Sequence, residues 1–429
     1  MTAKNRLDIA EQFLASRELS ILRSQDNPWQ NELKPPRKYL SDMLIQGNYR
    51  TEAFSLKLNR FQDPDKGFLC VVMASTGPQT GEIHFQNQPD YTEKISRIIT
   101  AQGGIMAWLT PSVLIIALPR PCPPTPVAQM ASAIKKQIET TLDVTISMGA
   151  SQFPWMDFSH QEIFHHGVKA LDHARFYKPG ALIFPNAITF NISGDRRYRL
   201  GLIEAALTEY HLGLLLNPTD FNLLNSLGVC NSVLNRFDQA LDQFKEALEI
   251  MPGDVMALYN AGLVCNLMDD LDKGGDYLSR ASELNNSLFE IELTAGIIFT
   301  KANNFSKALD HLQRAGNISP EAGLPQGLMG DICLKQKDYP RAVRAYTKAI
   351  KCTPRDPWSM SGLARVYEIQ NINMDIALSL AQQSIALAPE ISLFRHRLGK
   401  IHLKKGSYEK AAIEFTQADK HFSFQKGVA

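Results

Sequence analysis

Residues 329–354 read MGDICLKQKDYPRAVRAYTKAIKCTP. A small residue stands at Gly330, a second at Ala342, a ring at Tyr346, a third small residue at Ala349, and a proline at Pro354. Small residues at these intervals let two helices approach closely, and the bulky side chain fills the space between them. The proline lacks an N–H and stops the second helix. The stretch therefore predicts a helical hairpin, and the same spacing recurs on both sides of it. Apolar-small pairs stand at Leu227-Gly228, Ala261-Gly262, Ala295-Gly296 and Met329-Gly330, 34 residues apart, and continue at Leu363-Ala364 and Leu398-Gly399 with one 35-residue step. Twelve residues on come Ala240, Gly274, Ala308 and Ala342, then Ala377 one place late, then Ala411. Six units follow, 221–254, 255–288, 289–322, 323–356, 357–391 and 392–425, preceded by a lone second helix marked by Ala206, Tyr210, Gly213 and Pro218.

A fixed period of this length is the signature of a stacked-hairpin solenoid. The pattern of apolar-Gly, Ala, aromatic, Ala and Pro resembles the tetratricopeptide repeat (TPR). That resemblance implies a concave groove for a protein or peptide ligand, lined by the first helix of each unit. The positions expected to face it are Asn222, Asn225, Tyr259, Asn266, Asp331, Trp358, Arg365, His396 and Lys400. Lys and Asn at matched positions of neighbouring repeats, as a carboxylate clamp requires, are absent, so the ligand stays open.

The whole chain of 429 residues has 45 Lys+Arg against 44 Asp+Glu. This balance argues against a generally basic nucleic-acid binder. It also hides a polarity. Residues 220–292 hold 13 acids and 4 bases, and residues 293–429 hold 11 acids and 19 bases. Head-to-tail homo-oligomers are one consequence expected of such a charge split. No apolar run approaches the roughly 20 residues of a membrane span, and the N-terminus lacks an apolar signal core. The six cysteines form no CxxC pair and read as buried free thiols, which together predict a cytoplasmic protein without a metal or cofactor.

The N-terminal half has another rhythm. After a helical segment at 1–62, residues 63–190 alternate strand-like runs (Phe68–Ala74, Ile105–Leu109, Val113–Leu118, Val144–Met148, Ala181–Phe184) with helices after Pro89, at Val127–Thr140 and at Ser159–Tyr177. The expected fold class is α/β, with an antiparallel-containing sheet and helices, followed by the all-α solenoid at 196–425. Val144-Thr-Ile-Ser-Met-Gly-Ala150, then Val168-Lys-Ala-Leu-Asp-His-Ala-Arg175 and Gly180, resemble the end of a GGDEF, nucleotidyl-cyclase-like domain. The resemblance implies carboxylates in the hairpin signature to hold Mg²⁺ against a triphosphate. Thr110, Pro111, Ser112 and Val113 stand there instead, and the first strand ends Ala74-Ser75-Thr76, again without an acid. The expected module is thus a catalytically inactive regulatory domain, and the expected protein a non-enzymatic scaffold or adaptor. The alternative is a nucleotide or cyclic di-GMP sensor, or a residual diguanylate cyclase, signalling through the array. His160, His165, His166 and His173 share one predicted helix but lack a third ligand at metal spacing, so they read as surface histidines.

Overall fold

The computed structural model describes residues 39–42, 67–77, 81–82, 89–119 and 126–426. The expected N-terminal helical segment (apart from 39–42), Cys122, and the Phe422 and Phe424 side chains lie outside what is described. The chain divides into two compact units between Ile250 and Met251.

The first unit opens with a mixed sheet. Its elements are β1 (Phe68–Gly77), β2 (Gly81–Glu82), α1 (Pro89–Ala101), β3 (Ile105–Thr110), β4 (Val113–Pro119), α2 (Val127–Leu142), β5 (Thr145–Phe153), α3 (His160–Ala174) and β6 (Leu182–Ile183). The strand order is β3-β4-β1-β5-β6, with β2 paired to β1. All pairings are antiparallel except the parallel β5–β6. The β1-α1-β3-β4-α2-β5 stretch is a split βαβ arrangement, with β1 between β4 and β5. β1 is uniformly apolar because its side chains alternate between two faces that are both covered. Leu69, Val71 and Met73 face α1 and α2 through Ile95, Ile99, Ala131, Ile134 and Ile138. Phe68, Cys70 and Val72 face α3 through Ile163, Phe164, Val168 and Leu171. At Gly149 a Cβ would meet the Gly167 carbonyl at 2.2 Å, so the strand has no room there for a side chain beneath α3.

Helices then follow without interruption: α4 (Ala187–Arg199), α5 (Ile203–Leu216), α6 (Phe221–Val233) and α7 (Phe237–Ile250). The helix expected to stand alone, α5, has a partner in α4. Gly194, 34 residues before Gly228, receives the Tyr210 ring, and a Cβ there would lie 2.3 Å from Tyr210 Cε1. The repeat thus starts near Ala187, inside the span assigned to the α/β domain from sequence. The polar faces of Asn191, Asp195 and Arg196–Arg197 had masked the apolar rhythm of α4.

The second unit comprises the hairpins α8 (Val255–Leu267)/α9 (Leu271–Leu284), α10 (Phe289–Lys301)/α11 (Phe305–Ile318), α12 (Gly323–Lys335)/α13 (Tyr339–Cys352), α14 (Pro357–Gln370)/α15 (Met374–Leu387) and α16 (Ser392–Lys404)/α17 (Tyr408–Lys426). The first four hairpins fall within the spans 255–288, 289–322, 323–356 and 357–391, and α17 runs one residue past the span 392–425. The same device closes most hairpins: a Cβ at Gly262, Gly296, Gly330 or Gly399 would lie 2.6–2.8 Å from Leu278, Leu312, Tyr346 or Phe415. The turn between helices is equally periodic. Gly201, Asn235, Asp269, Asn303, Lys337, Asn371 and Gly406 all have positive φ, from 54° to 76°. Glycine and the short Asn and Asp side chains tolerate this left-handed conformation, whereas a lysine is strained in it. The single 35-residue step is explained locally. α14 runs one residue longer than its counterparts, and Asn371 and Asn373 both turn left-handed before α15 begins.

Candidate peptide-binding face

In the second unit the first helices of successive hairpins touch one another, whereas the second helices stand further apart. A stack of this kind bends with its first helices inside. Side chains bridge the inner helices one repeat apart. Tyr259 Oη lies 3.5 Å from Thr294 Oγ1, Lys301 Nζ donates to Asn266 Oδ1 at 2.9 Å, and Arg397 donates to Ser361 Oγ at 2.9 Å. Lys404 Nζ pairs with Glu368 Oε1 at 3.1 Å. These contacts fix the inner face and use up part of its polar groups.

The sequence-predicted residues fall into distinct classes here. Tyr259 is buried, and its phenol is pushed up by that burial. Asp331 accepts the Tyr346 hydroxyl at 2.6 Å; desolvation raises its pKa although this bond and the Arg397 charge lower it. Asn266 and Lys400 are half-buried, and His396 is exposed with its ring 5.3 Å from Phe415. Arg365 is bonded to the buried Glu368. Trp358 is 54% exposed, its ring set edge-on to Phe394 at 5.0 Å. In the first unit Asn222 is half-buried at the start of α6, its backbone N–H capped by Asp220, and Asn225 is 2% exposed. Asn225 and Tyr259 thus offer little open surface, because helix positions four places into the unit turn toward the neighbouring helix as well as toward the groove.

Two exposed residues were not read from the sequence, Leu324 and Leu393, at 54% and 39%. They occupy the position of Trp358 in the flanking repeats, 34 residues before it and 35 after. That spacing was legible, but apolar residues on a predicted helix are assigned to the core by default.

The first unit positions the signature segment at the β3–β4 turn. Thr110 Oγ1 lies 3.3 Å from Ser112 Oγ and also accepts the Ser112 N–H, and Val113 pairs in register with Ala74 of β1. Ala74, three residues before the end of β1, and this turn are therefore neighbours. Among the described residues no group of three or more His, Cys, Asp or Glu could hold a metal ion.

The histidines of α3 depart from the surface reading. His166 and His173 are each 2% exposed. His166 is packed by Trp155, Phe158 and Phe190 at 5.5, 4.4 and 5.2 Å, and burial drives its pKa down to about 3. His173 Nδ1 lies 2.9 Å from Thr189 Oγ1, and burial lowers it to about 4. Beside them is a buried ion-pair network: Lys169 to Glu209 at 2.7 Å and Arg197 to Glu209 at 3.2 Å. Desolvation pulls the Lys169 amine down despite Glu209. Asp172, fully buried, accepts the backbone N–H groups of Leu40 and Ser41, each at 2.8 Å; desolvation nevertheless raises it to about 6. Four cysteines, Cys70, Cys230, Cys265 and Cys333, are buried free thiols, and Cys352 is half-buried and free. Among the described residues no helix is long and apolar enough to cross a membrane.

No family model matches the chain. Several solved structures are similar to parts of it. YrrB, described as a TPR protein with an unusual peptide-binding site, is 18% identical over 46% of this chain and 97% of its own, with a TM-score of 0.40. A tetratricopeptide repeat protein from Parabacteroides merdae is 16% identical over 55% of this chain and 93% of its own, with a TM-score of 0.45. Pseudomonas aeruginosa PilF is 16% identical over 49% and 95%, with a TM-score of 0.42.

Proposed function

We propose that the protein is a non-enzymatic interaction scaffold, holding a protein or peptide segment on the inner face of its TPR-like array. The observation that carries this reading is the inner face of the second unit. First helices repeat at a fixed interval, lean together, and present a mixture of exposed apolar, amide and cationic side chains. A solvated helix face needs no exposed tryptophan and leucine at one register position. In this reading the split βαβ module is a cyclase-like domain that has lost its metal acids and serves a structural or regulatory purpose.

Site-specific photo-crosslinking of the full chain tests the assignment. A reactive group at Asn266 or His396 is expected to trap a protein partner, and one at the outward, exposed Lys348 is not. Equal trapping at all three positions would remove the inner face as the interaction site.

A second reading rests on the adjacency of Ala74 and Val113, which brings the C-terminal part of β1 and the signature turn together as a nucleotide site would need. Calorimetry with GTP and Mg²⁺, and with cyclic di-GMP, decides it. A Kd tighter than about 10 µM, near −7 kcal/mol, would put nucleotide sensing first.

A further inference from the structure

The inner face of the second unit carries two parallel rows of different chemistry. The first is Leu324, Trp358 and Leu393, exposed at 54%, 54% and 39%, at the second position of α12, α14 and α16. The second is Arg365 and Lys400, each seven residues beyond Trp358 and Leu393. Seven residues are two helical turns, about 10.5 Å along the axis, so an apolar row and a cationic row run side by side across neighbouring hairpins.

The cationic row keeps charge to spare. Glu368 is shared by Arg365 and Lys404, two cations on one carboxylate. Lys400 has no carboxylate partner among the described residues, and Arg397 bonds the neutral Ser361. Asp331, which holds the corresponding position in α12, is already engaged by the Tyr346 hydroxyl and sits near Arg397. The His396 imidazole lies in the same field: burial lowers its pKa, and the Lys400 and Arg365 charges lower it further against the raising effect of Asp419. Residues 293–429 as a whole hold 19 bases against 11 acids.

We infer that α12, α14 and α16 form a docking face for an acidic amphipathic segment of a partner protein, apolar along one edge and carboxylate-bearing along the other. The separation of the rows matches the roughly 10–12 Å width of a helix, which lets one amphipathic helix lay its apolar stripe on Trp358 and its acids on Arg365 and Lys400. Charge complementarity selects acid over base, and the apolar row distinguishes this partner from a merely polyanionic one. The inference rests on the scaffold reading and narrows it to one partner chemistry.

The test uses the full-length chain and three synthetic 15-residue peptides of one amphipathic pattern: Leu with Glu, Leu with Lys, and Ser with Glu. Calorimetry at low salt is expected to show the Leu/Glu peptide binding at least tenfold tighter than either of the others. Trp358→Ala and Lys400→Glu are each expected to weaken it at least tenfold, and Trp358→Phe no more than about threefold. Circular dichroism melts check that the variants keep the wild-type fold, and Lys400→Glu alters a half-buried side chain with no carboxylate to lose. Equal binding of the Leu/Lys peptide, unchanged affinity in both variants, or no binding of the Leu/Glu peptide overturns the inference. So does ultracentrifugation showing a wild-type dimer that Trp358→Ala dissociates, since the face would then belong to a second copy. In each of these cases, crosslinking from Asn266 or His396 to a different protein leaves the scaffold reading standing, and only the partner chemistry falls.

Discussion

The two units spend their polar groups differently. In the second, most polar bridges between hairpins join residues about one repeat apart, Tyr259 with Thr294, Lys301 with Asn266, Arg314 with Ser282, Arg397 with Ser361, and the buried Glu292 accepts the Ser282 hydroxyl of the adjacent helix. In the first, Lys169 reaches Glu209 across 40 positions, and Asp172 reaches Leu40 across 132. A stack held by near-neighbour contacts tolerates local damage, because each hairpin answers chiefly to those beside it. A module closed by buried charges between distant segments fails as a whole when one charge loses its partner.

The largest expected effect is therefore Glu209→Ala. It takes from Lys169 and Arg197, with 6% and 12% side-chain exposure, their shared ion-pair partner and leaves Lys169 only the Glu162 charge, at a cost of about 3–5 kcal/mol to the first unit. The double variant Lys169→Met, Glu209→Leu is expected to regain most of that loss. Hydrogen exchange of α3 and α5 in the full chain reads both, and a single-variant loss below about 1 kcal/mol would erase the contrast between the units.

Acid is the next way to separate them. His165, His166 and His173 fall from 6.5 to about 4, 3 and 4, chiefly through burial. Each is neutral in the fold and takes up a proton on unfolding, so its stabilisation is full above pH 6.5 and is lost as pH falls toward 4. Asp172 works in the opposite sense. Raised to about 6 from 3.8, it already holds its proton in the fold near pH 5, and the unfolded chain does not. Near pH 5 the balance is about two protons taken up on unfolding, an upper bound of about 2.7 kcal/mol per pH unit. Exchange in α3 is expected to speed up between pH 6.5 and 4.5 well before exchange in α8 and α9, which contain no histidine. Equal acid sensitivity of these helices would contradict the assignment of buried neutral histidines.

Gly330→Val probes the other side of the comparison. Its Cβ would stand 2.7 Å from the Tyr346 ring, an overpacking expected to cost about 1–3 kcal/mol. Faster exchange should be confined to α12, α13 and the helices next to them. Loss of protection throughout the unit would show that its hairpins are not locally autonomous.

The smallest effect is a gain. Lys337 holds φ at 62° where related turns place Asn, Asp or Gly. Lys337→Asn is expected to stabilise its hairpin by up to about 1 kcal/mol, visible as a rise in melting temperature. No change, or a loss, would mean that the lysine is not strained there.

How much of this was legible depended on whether the signal repeats. Gly228, Gly262, Gly296 and Gly330 each need only be seen once against the others, so the hairpins and their limits could be read directly. The opening hairpin escaped because α4 carries Asn191, Asp195 and three arginines around its one informative glycine, Gly194. The sheet could be read from apolar runs and turn residues, and the helix and strand spans after Pro89 fell close to where expected, except that β5 runs on to Phe153, past the expected limit at Met148. The candidate site was legible only in part. Trp358 and His396 are exposed and Arg365 and Lys400 half-buried on first helices of their hairpins, but Asn225 and Tyr259 are buried, and Leu324 and Leu393 read as core.

By itself the sequence determined the period, the helical hairpins, the alternation of the α/β module and the split of charge along the chain. All of these follow from the order of residue types, because helix and strand geometry convert spacing directly into faces. The tertiary structure alone decided which face is inner, which cations keep a free charge, and which histidines lose contact with water. Those properties depend on what comes to lie opposite each residue. Glu368 under Arg365 and Lys404, Glu209 beside Lys169, and the aromatic rings around His166 are neighbours that only packing supplies.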